Sequence, residues 1–139
     1  MTLSFDEFVL AASTADLTEE PAARPHADAV EFRMDLAASP AEALAGYEGE
    51  LPLLVTNRVA WEGGEAPDTS ERIERLRSAV EHPAVQAVDV ELDAIEECQP
   101  VVEHARENGV AVVVSTHDFE GTPSRERIDE LLEHACDRG

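Results

Sequence analysis

Five short apolar runs, rich in β-branched residues, alternate along the chain with segments of helical periodicity. The runs lie near residues 8–13, 29–35, 52–58, 86–92 and 110–116. Continuous apolar runs of this length are typical of parallel strands that are covered on both faces. The segments that we predict to be helical are 18–24, 39–46, 68–80, 95–108 and 122–135. This alternation predicts right-handed βα units and a parallel sheet.

Two of the predicted helices carry an apolar stripe that indicates which face packs against the sheet. In the segment 68–80 the stripe has spacings of three and four and consists of Ile73, Leu76 and Val80. In the last helix we expect four residues to face inward: Ile128, Leu131, Leu132 and Ala135. Both helices should therefore dock on the strands that precede them.

The chain of 139 residues has the length of one domain, and two architectures fit five βα units. An open doubly wound sheet fits the length, but its first strand is usually followed by a glycine-rich turn, and residues 11–16 contain no glycine. The alternative is the first part of a (β/α)8 barrel, which takes roughly 200 or more residues when complete.

The net charge of the chain limits the classes of partner that it can bind. The chain has 31 acidic and 10 basic residues, a formal net charge of −21, which argues against binding to nucleic-acid backbones. All ten basic residues are arginines, and such an acidic, lysine-free composition indicates a protein that stays dissolved in high salt. One chemical consequence follows directly. Within these 139 residues there is no lysine that could form a Schiff base.

The sequence shows neither a signal peptide nor a membrane span, since no apolar run approaches the roughly 18 residues that a span needs. We therefore expect a cytoplasmic protein that does not bind membranes. Cys98 and Cys136 fall in predicted helices without metal-ligand spacing, so we expect reduced thiols and no disulfide.

Charged and polar side chains follow three of the predicted strands at their carboxyl ends, the edge at which barrel and open α/β proteins place their sites. The strand 110–116 ends in Ser115 and Thr116 and leads into His117 and Asp118. Two earlier strands are followed in the same way by a further group of residues: Glu31, Arg33, Asp35, Arg58 and Glu62. We expect these side chains to converge in space.

These strand ends resemble a known family, type I 3-dehydroquinate dehydratase, and especially its acidic haloarchaeal members. The resemblance rests on three short motifs in a fixed order: Glu31-Phe32-Arg33 with Asp35, Thr56-Asn57-Arg58 with Glu62-Gly63-Gly64, and Ser115 with His117-Asp118-Phe119 and Thr122-Pro123. It covers the whole chain but only about the first five of the family's eight barrel units. It therefore implies that residues 1–139 form a single partial (β/α) domain of the (β/α)8 TIM-barrel class.

The resemblance also implies roles for individual residues. His117 corresponds to the catalytic histidine, and Glu62 to the carboxylate that orients it. Glu31 and Arg33 correspond to a pair that binds substrate hydroxyls, and alternation along a strand points both side chains the same way. The remaining candidates are a substrate-binding arginine, a less certain substrate-contacting serine and two site-supporting carboxylates: Arg58, Ser13, Asp89 and Glu91.

The implied reaction converts 3-dehydroquinate into 3-dehydroshikimate and water, in the shikimate pathway to chorismate and the aromatic amino acids. The family needs no cofactor or metal, because a lysine forms a Schiff base with the substrate ketone. This sequence ends before that lysine, so we expect it to be inactive alone. Two open sheet edges and apolar inner-face residues with no partner also predict a marginal or self-associating fold. A homodimer or a complementing carboxyl-terminal fragment is the expected partner.

Two other interpretations remain. A divalent-metal hydrolase or isomerase would use rim carboxylates and the imidazole as ligands, although Arg33 and Arg58 at the same rim would repel a metal ion. Its candidate ligands are Glu31, Asp35, Asp89, Glu91, His117 and Asp118. A non-catalytic remnant that binds a partner is the third interpretation.

Overall fold

The computed structural model describes residues 3–138 and contains one sheet of five parallel strands in the order of the sequence. The strands are β1 (Ala11–Thr14), β2 (Ala29–Arg33), β3 (Leu53–Thr56), β4 (Val85–Glu91) and β5 (Ala111–Ser115). The helices are α1 (Glu20–Ala23), α2 (Pro40–Ala45), α3 (Ser70–Ala79), α4 (Gln99–Glu107) and α5 (Arg125–Arg138). Short 3-10 turns lie at Leu17–Glu19, Met34–Leu36, Ala60–Glu62 and Leu92–Ala94. The predicted α/β class and the five parallel βα units are confirmed.

The first strand begins later than its apolar run predicts. Phe8 is 87% exposed, and the ladder with β2 begins only at the pair Ala11 and Ala29. At Leu10 the backbone N–H donates to the Asp28 carboxylate at 2.9 Å instead of to a strand. The Leu10 carbonyl accepts from the N–H groups of Asp28 and Ala29, at the very start of β2, so the regular ladder can begin only after Leu10.

The fourth helix also begins later than predicted, at Gln99 instead of residue 95. Pro100 lies in the first turn of α4, where its missing N–H costs no helical hydrogen bond. Cys98 therefore occupies the position just before the helix and is buried, whereas Cys136 lies in α5 and is exposed. Both thiols are free, as the sequence predicts.

The hydrophobic core lies between one face of the sheet and the helices. Alternate strand residues supply it, and six of them are completely buried: Val30, Phe32, Leu53, Val55, Val88 and Val90. Helix α3 packs on them through Leu76 and α4 through Val101 and Val102. Full burial of each such side chain stabilises the fold by about 1.5–3 kcal/mol. The predicted stripe of α3 is confirmed at Leu76.

The opposite face of the sheet is mostly polar toward the carboxyl ends of the strands. Strand alternation places Glu31 and Arg33 on this face, since Phe32 between them is in the core. Leu54 and Val113 are in register with Glu31 and Asp89 and are only half-buried. The expected unpartnered apolar inner face is thus limited to a few positions.

The fifth unit packs less tightly than the second to fourth units. All five residues of β5 are half-buried, and α5 has no buried residue. A groove of about 320 Å³ separates α5 from the end of β5, and Leu132 in it is 59% exposed. The residues predicted to face inward, Ile128, Leu131, Leu132 and Ala135, all line this groove and so face the sheet, but none of them is buried. The strand is an edge of the described sheet, so its helix has a single strand to rest on.

No helix within residues 3–138 is long and apolar enough to cross a lipid bilayer.

Candidate active site

The predicted histidine and its predicted partner lie side by side, although 55 positions separate them along the chain. His117 Nδ1 is 2.8 Å from Glu62 Oε1. The Glu62 side chain is 4% exposed, whereas the His117 side chain is 33% exposed. A buried carboxylate thus holds one ring nitrogen while the imidazole remains accessible from solvent.

A tight turn after β3 presents Glu62. Residues Ala60–Glu62 form a 3-10 turn, and Gly63 ends it with a φ of 85°, a left-handed conformation that suits glycine. The Gly64 N–H donates to Val59 O at 3.0 Å, which closes the loop. The long loop that the sequence places between β3 and α3 is therefore an ordered support for one carboxylate.

Phe119 lies over the imidazole. The rings of His117 and Phe119 are parallel to within 5°, and their centroids are 6.0 Å apart. Phe119 also contacts the turn below, because a Cβ atom added at Gly63 would collide with its ring. The loop after β5 thus contacts the loop after β3 through the Phe119 ring, which lies against Gly63.

Glu31 lies between two hydroxyl groups from the neighbouring strands. Ser13 donates to Glu31 Oε1 at 2.9 Å, and Thr56 donates to Glu31 Oε2 at 2.8 Å. Ser13, one of the predicted site residues, therefore contacts the glutamate directly. Both carboxylate oxygens are used, so Glu31 links β1, β2 and β3 at one level of the sheet.

Arg33 is held by Asp35, in a two-point ion pair. Arg33 Nε lies 2.9 Å from Asp35 Oδ1 and Arg33 Nη2 lies 2.8 Å from Asp35 Oδ2. The Glu65 N–H also donates to Asp35, at 3.2 Å. Burial alone would raise the pKa of Asp35, but the bonds from Arg33 outweigh it and the pKa lies below its ordinary value. Asp35 thereby connects Arg33 to the loop that carries Glu62.

Arg58 is almost completely buried and is bonded to β4 and β5. Its Nη1 lies 2.8 Å from Asp89 Oδ1, 2.5 Å from Glu91 Oε2 and 3.0 Å from Ser115 Oγ. Ser115 donates in turn to Asp89 at 2.7 Å. The pKa of Arg58 is raised: burial lowers it, but the two carboxylates more than compensate. Asp89 and Glu91, which we expect to support the site, both accept hydrogen bonds from this arginine.

One buried residue of this cluster is missed by the sequence analysis. Arg72 in α3 is 3% exposed and donates from Nη1 to Glu91 Oε1 at 2.7 Å. An arginine on a charged helix ordinarily lies in solvent. Its place four residues before Leu76 puts it on the buried stripe, and that spacing is the signal that could have revealed it.

The predicted residues gather at the carboxyl edge of the sheet as four connected groups. His117 pairs with Glu62, Glu31 with Ser13, Arg33 with Asp35, and Arg58 with Asp89 and Glu91. The groups are linked: Asp35 reaches the Glu62 loop, Thr56 pairs in register with Arg33, and Ser115 joins Arg58 to the strand that leads to His117.

This arrangement can move a proton and bind an organic acid. An imidazole with one nitrogen on a carboxylate can use the other to take and return a proton near neutral pH. Two neighbouring arginines favour anionic or hydroxylated ligands. Among residues 3–138, no group of three or more His, Cys, Asp or Glu side chains is placed to hold a metal ion.

Comparison with known proteins agrees with this geometry. Residues 9–139 match the family described as Type I 3-dehydroquinase. The chain belongs to the type I 3-dehydroquinase family. It is 52% identical to a 3-dehydroquinate dehydratase of Haloarcula marismortui and 47% identical to one of Halobacterium salinarum, over 99% of this chain in both cases. It spans 62% and 63%, respectively, of the length of these two relatives.

Solved structures of the type I 3-dehydroquinase family share the fold. A type I 3-dehydroquinate dehydratase of Clostridium difficile, determined with covalently modified comenic acid, has a TM-score of 0.81 at 25% identity. A 3-dehydroquinate dehydratase of Geobacillus kaustophilus has a TM-score of 0.78 at 28% identity. The matches cover 94% and 95% of this chain and 59% of each solved chain. The five βα units are therefore a part of the family's barrel.

Proposed function

We propose that this chain supplies the proton-transfer pair and part of the substrate clamp of a 3-dehydroquinate dehydratase, a carbon–oxygen lyase. The reaction eliminates water from 3-dehydroquinate to give 3-dehydroshikimate. The observation that carries the proposal is the 2.8 Å contact of His117 with the buried Glu62, at a strand edge that also holds Glu31, Arg33 and Arg58. The named relatives and the family match support the same substrate.

His117 is the proposed base. With its Nδ1 proton on Glu62, the neutral ring has a lone pair on Nε2 that can accept the proton from the carbon next to the substrate ketone. Glu62 then stabilises the imidazolium that forms. The same Nε2 proton is given to the departing hydroxyl, which leaves as water, so the histidine returns to its starting form.

The substrate clamp in this proposal consists of Glu31, Arg33 and Arg58, with Ser13 beside Glu31. Glu31 is held by two hydroxyl donors, and each arginine by a carboxylate, so all three side chains are oriented before a ligand arrives. Such preorganisation lowers the entropic cost of binding. Two arginines and the Glu31 carboxylate, an acceptor, suit a small hydroxylated organic acid as the ligand.

The Schiff-base step needs a lysine side chain, which these 139 residues do not contain, because all ten basic residues are arginines. We propose that the lysine is supplied by polypeptide outside residues 1–139. A second copy of the same 139 residues would not supply it, which favours a complementing βα segment over a homodimer as the catalytic partner. A salt-rich cytoplasm suits the charge of −21.

Borohydride trapping with 3-dehydroquinate, read by mass spectrometry, tests the proposal. We expect no side-chain adduct on residues 1–139 alone, and an adduct once the chain is extended or complemented by the remaining family units. In that assembled enzyme, His117→Gln should lower dehydration by about 10²–10⁴-fold and leave the adduct intact.

The matched control is His134→Gln, because His134 is an exposed histidine of α5. It should leave turnover close to that of the unmodified protein. Near-normal dehydration by the His117→Gln enzyme would contradict the assignment of the base, and an adduct on the isolated 139 residues would contradict the external amine.

A further inference from the structure

Arg72 has no part in the proton transfer, yet it is bonded to two groups that adjoin Arg58, the residue that we propose to bind substrate. These groups are the backbone before Arg58 and the Glu91 carboxylate. Its Nη1 donates to the backbone carbonyl of Asn57, which directly precedes Arg58, at 3.2 Å. The Asn57 side chain donates back to the Arg72 carbonyl, also at 3.2 Å. Helix α3 is thus bonded twice to the end of β3.

Glu91 connects the two guanidinium groups. Its Oε1 accepts from Arg72 at 2.7 Å and its Oε2 accepts from Arg58 at 2.5 Å. The side chains of Glu91 and Arg72 are each 1% exposed. A carboxylate in this position can keep Arg58 in place only while both of its oxygens are oriented, and Arg72 orients one of them.

The charges of the cluster balance. Arg58 and Arg72 carry two positive charges, and Asp89 and Glu91 carry two negative charges. Removing one member would leave an uncompensated charge in a buried site, which is far more costly than losing a surface pair. Burial raises the pKa of Glu91, and the two arginines oppose that shift, so Glu91 depends on both to stay ionised.

These bonds do not involve all the hydrogen-bond donors of the Arg72 guanidinium. Its Nε and Nη2 are buried without a hydrogen-bond partner, and the buried Cys98 thiol beside it has a pKa raised by burial to about 11, which keeps it neutral. The hydrogen bonds of Nη1 lead to Glu91 and to the backbone before Arg58.

We propose that Arg72 is a positioning residue for Arg58, acting through the Glu91 bridge and through the backbone of Asn57. The proposal rests on the proposed function only in treating Arg58 as a substrate-binding residue. Arg72 itself lies behind the site, on the helix layer, and does not touch the ligand.

The test measures the side-chain signals of arginine by ¹⁵N nuclear magnetic resonance, on the 139-residue protein in high salt. The wild type should show slow rotation of the Arg58 guanidinium. Arg72→Met should speed that rotation by about tenfold and make it pH-dependent, because Glu91 loses a partner and takes up a proton more readily. Glu91→Gln should speed it at every pH, since the amide carries no charge.

The groups that face Glu91 are Arg58 beyond β3, Arg72 on α3, Asp89 on β4 and Cys98 before α4. Cys98 is held neutral, and Asp89 is retained in Glu91→Gln, so a pH dependence that appears in Arg72→Met but not in Glu91→Gln comes from Glu91. Arg72→Lys keeps the charge on a flexible stem and should restore slow rotation in part.

Arg75→Met is the control, because Arg75 is on the same helix but exposed and paired only with the exposed Glu71. It should match the wild type. Unchanged Arg58 signals in Arg72→Met would overturn the proposal. If that variant does not fold, the Arg72→Lys protein decides: signals identical to the wild type at every pH, together with identical signals in Glu91→Gln, would overturn it as well.

A titration with 3-dehydroquinate completes the experiment. Arg72→Met should weaken binding by about tenfold, and Arg58→Met should weaken it further. This titration uses the chain complemented by the remaining family units. If that wild-type assembly does not bind 3-dehydroquinate at all, the proposed function fails, whereas the positioning proposal is still decided by the guanidinium signals. If the wild type binds and Arg72→Met binds equally well, the positioning proposal fails alone.

Discussion

The second to fourth βα units and the fifth unit share a pattern of apolar strand and amphipathic helix but are packed very differently. Leu76 in α3 is 1% exposed, whereas Leu132 in α5 is 59% exposed, although both lie on apolar stripes that face the sheet. Strands β2, β3 and β4 each have a neighbour on both sides, while β5 is an edge of the described sheet. An apolar stripe is buried only when neighbouring elements cover it.

This difference divides the candidate site. Glu62, Arg58 and Arg33 are attached to the well-packed units, and His117 follows the half-buried strand β5. The orienting groups therefore belong to the well-packed units, while the proposed base depends on the half-buried fifth unit. Its hydrogen bond to Glu62 and the Phe119 contact with Gly63 join the two parts.

The largest expected effect compares the two leucines directly. Leu76→Ala should lower the free energy of unfolding by about 3 kcal/mol, because it leaves a cavity in the core. Leu132→Ala should lower it by less than about 1 kcal/mol, because the side chain is already largely in solvent. Urea unfolding in high salt, followed by circular dichroism, measures both. Equal losses would show that α5 is docked as firmly as α3.

The contact between the well-packed units and the fifth unit can be disrupted at Gly63. Gly63→Ala should cost about 2 kcal/mol, since alanine resists a positive φ and its Cβ would displace the Phe119 ring. The ring proton signals of His117 should shift in the same variant, as Phe119 leaves the imidazole. Gly121→Ala is the control, because a Cβ there meets no atom within 4 Å. An unshifted His117 signal in Gly63→Ala would show that the ring contact does not matter.

A smaller effect is expected at Asp35, within the well-packed part. Asp35→Asn should cost about 1 kcal/mol at neutral pH, because the two-point pair with Arg33 is lost. The folded-state pKa of Asp35 is lowered, so its contribution is present above the ordinary aspartate range and is lost as the pH falls through the folded-state value. Thermal unfolding from pH 7 to pH 3 should show the two proteins converging. A constant difference over that range would exclude the carboxylate as its source.

Much of the fold could be predicted from local patterns. Alternation of apolar runs with helical periodicity predicts β2 to β5 and the parallel sheet, and the spacing in α3 predicts the burial of Leu76. The start of β1 and the exposure of α5 could not be predicted in this way. Both depend on which elements lie beside them in space, and a local pattern does not contain that information.

The candidate site, like the fold, could be predicted from local patterns only in part. Placement at strand ends predicts that His117 and Arg58 share one edge, but only the resemblance to a family selects Glu62 from 31 acidic residues. Arg72 was missed because a charged residue on a helix is ordinarily assigned to solvent. Its burial depends on Glu91 in a strand 19 positions away, a pairing that no local rule reveals.

The arrangement of the arginines also bears on how a ligand would reach the site. Arg33 and Arg58 lie at one rim of a protein whose overall charge is −21, so an approaching organic anion is repelled at long range and attracted only at contact. Molar salt shortens the reach of the repulsion to about 3 Å but hardly affects ion pairs that are shielded from water. Brine should therefore hasten the capture of an anion here, whereas it slows capture by most enzymes that attract their substrates.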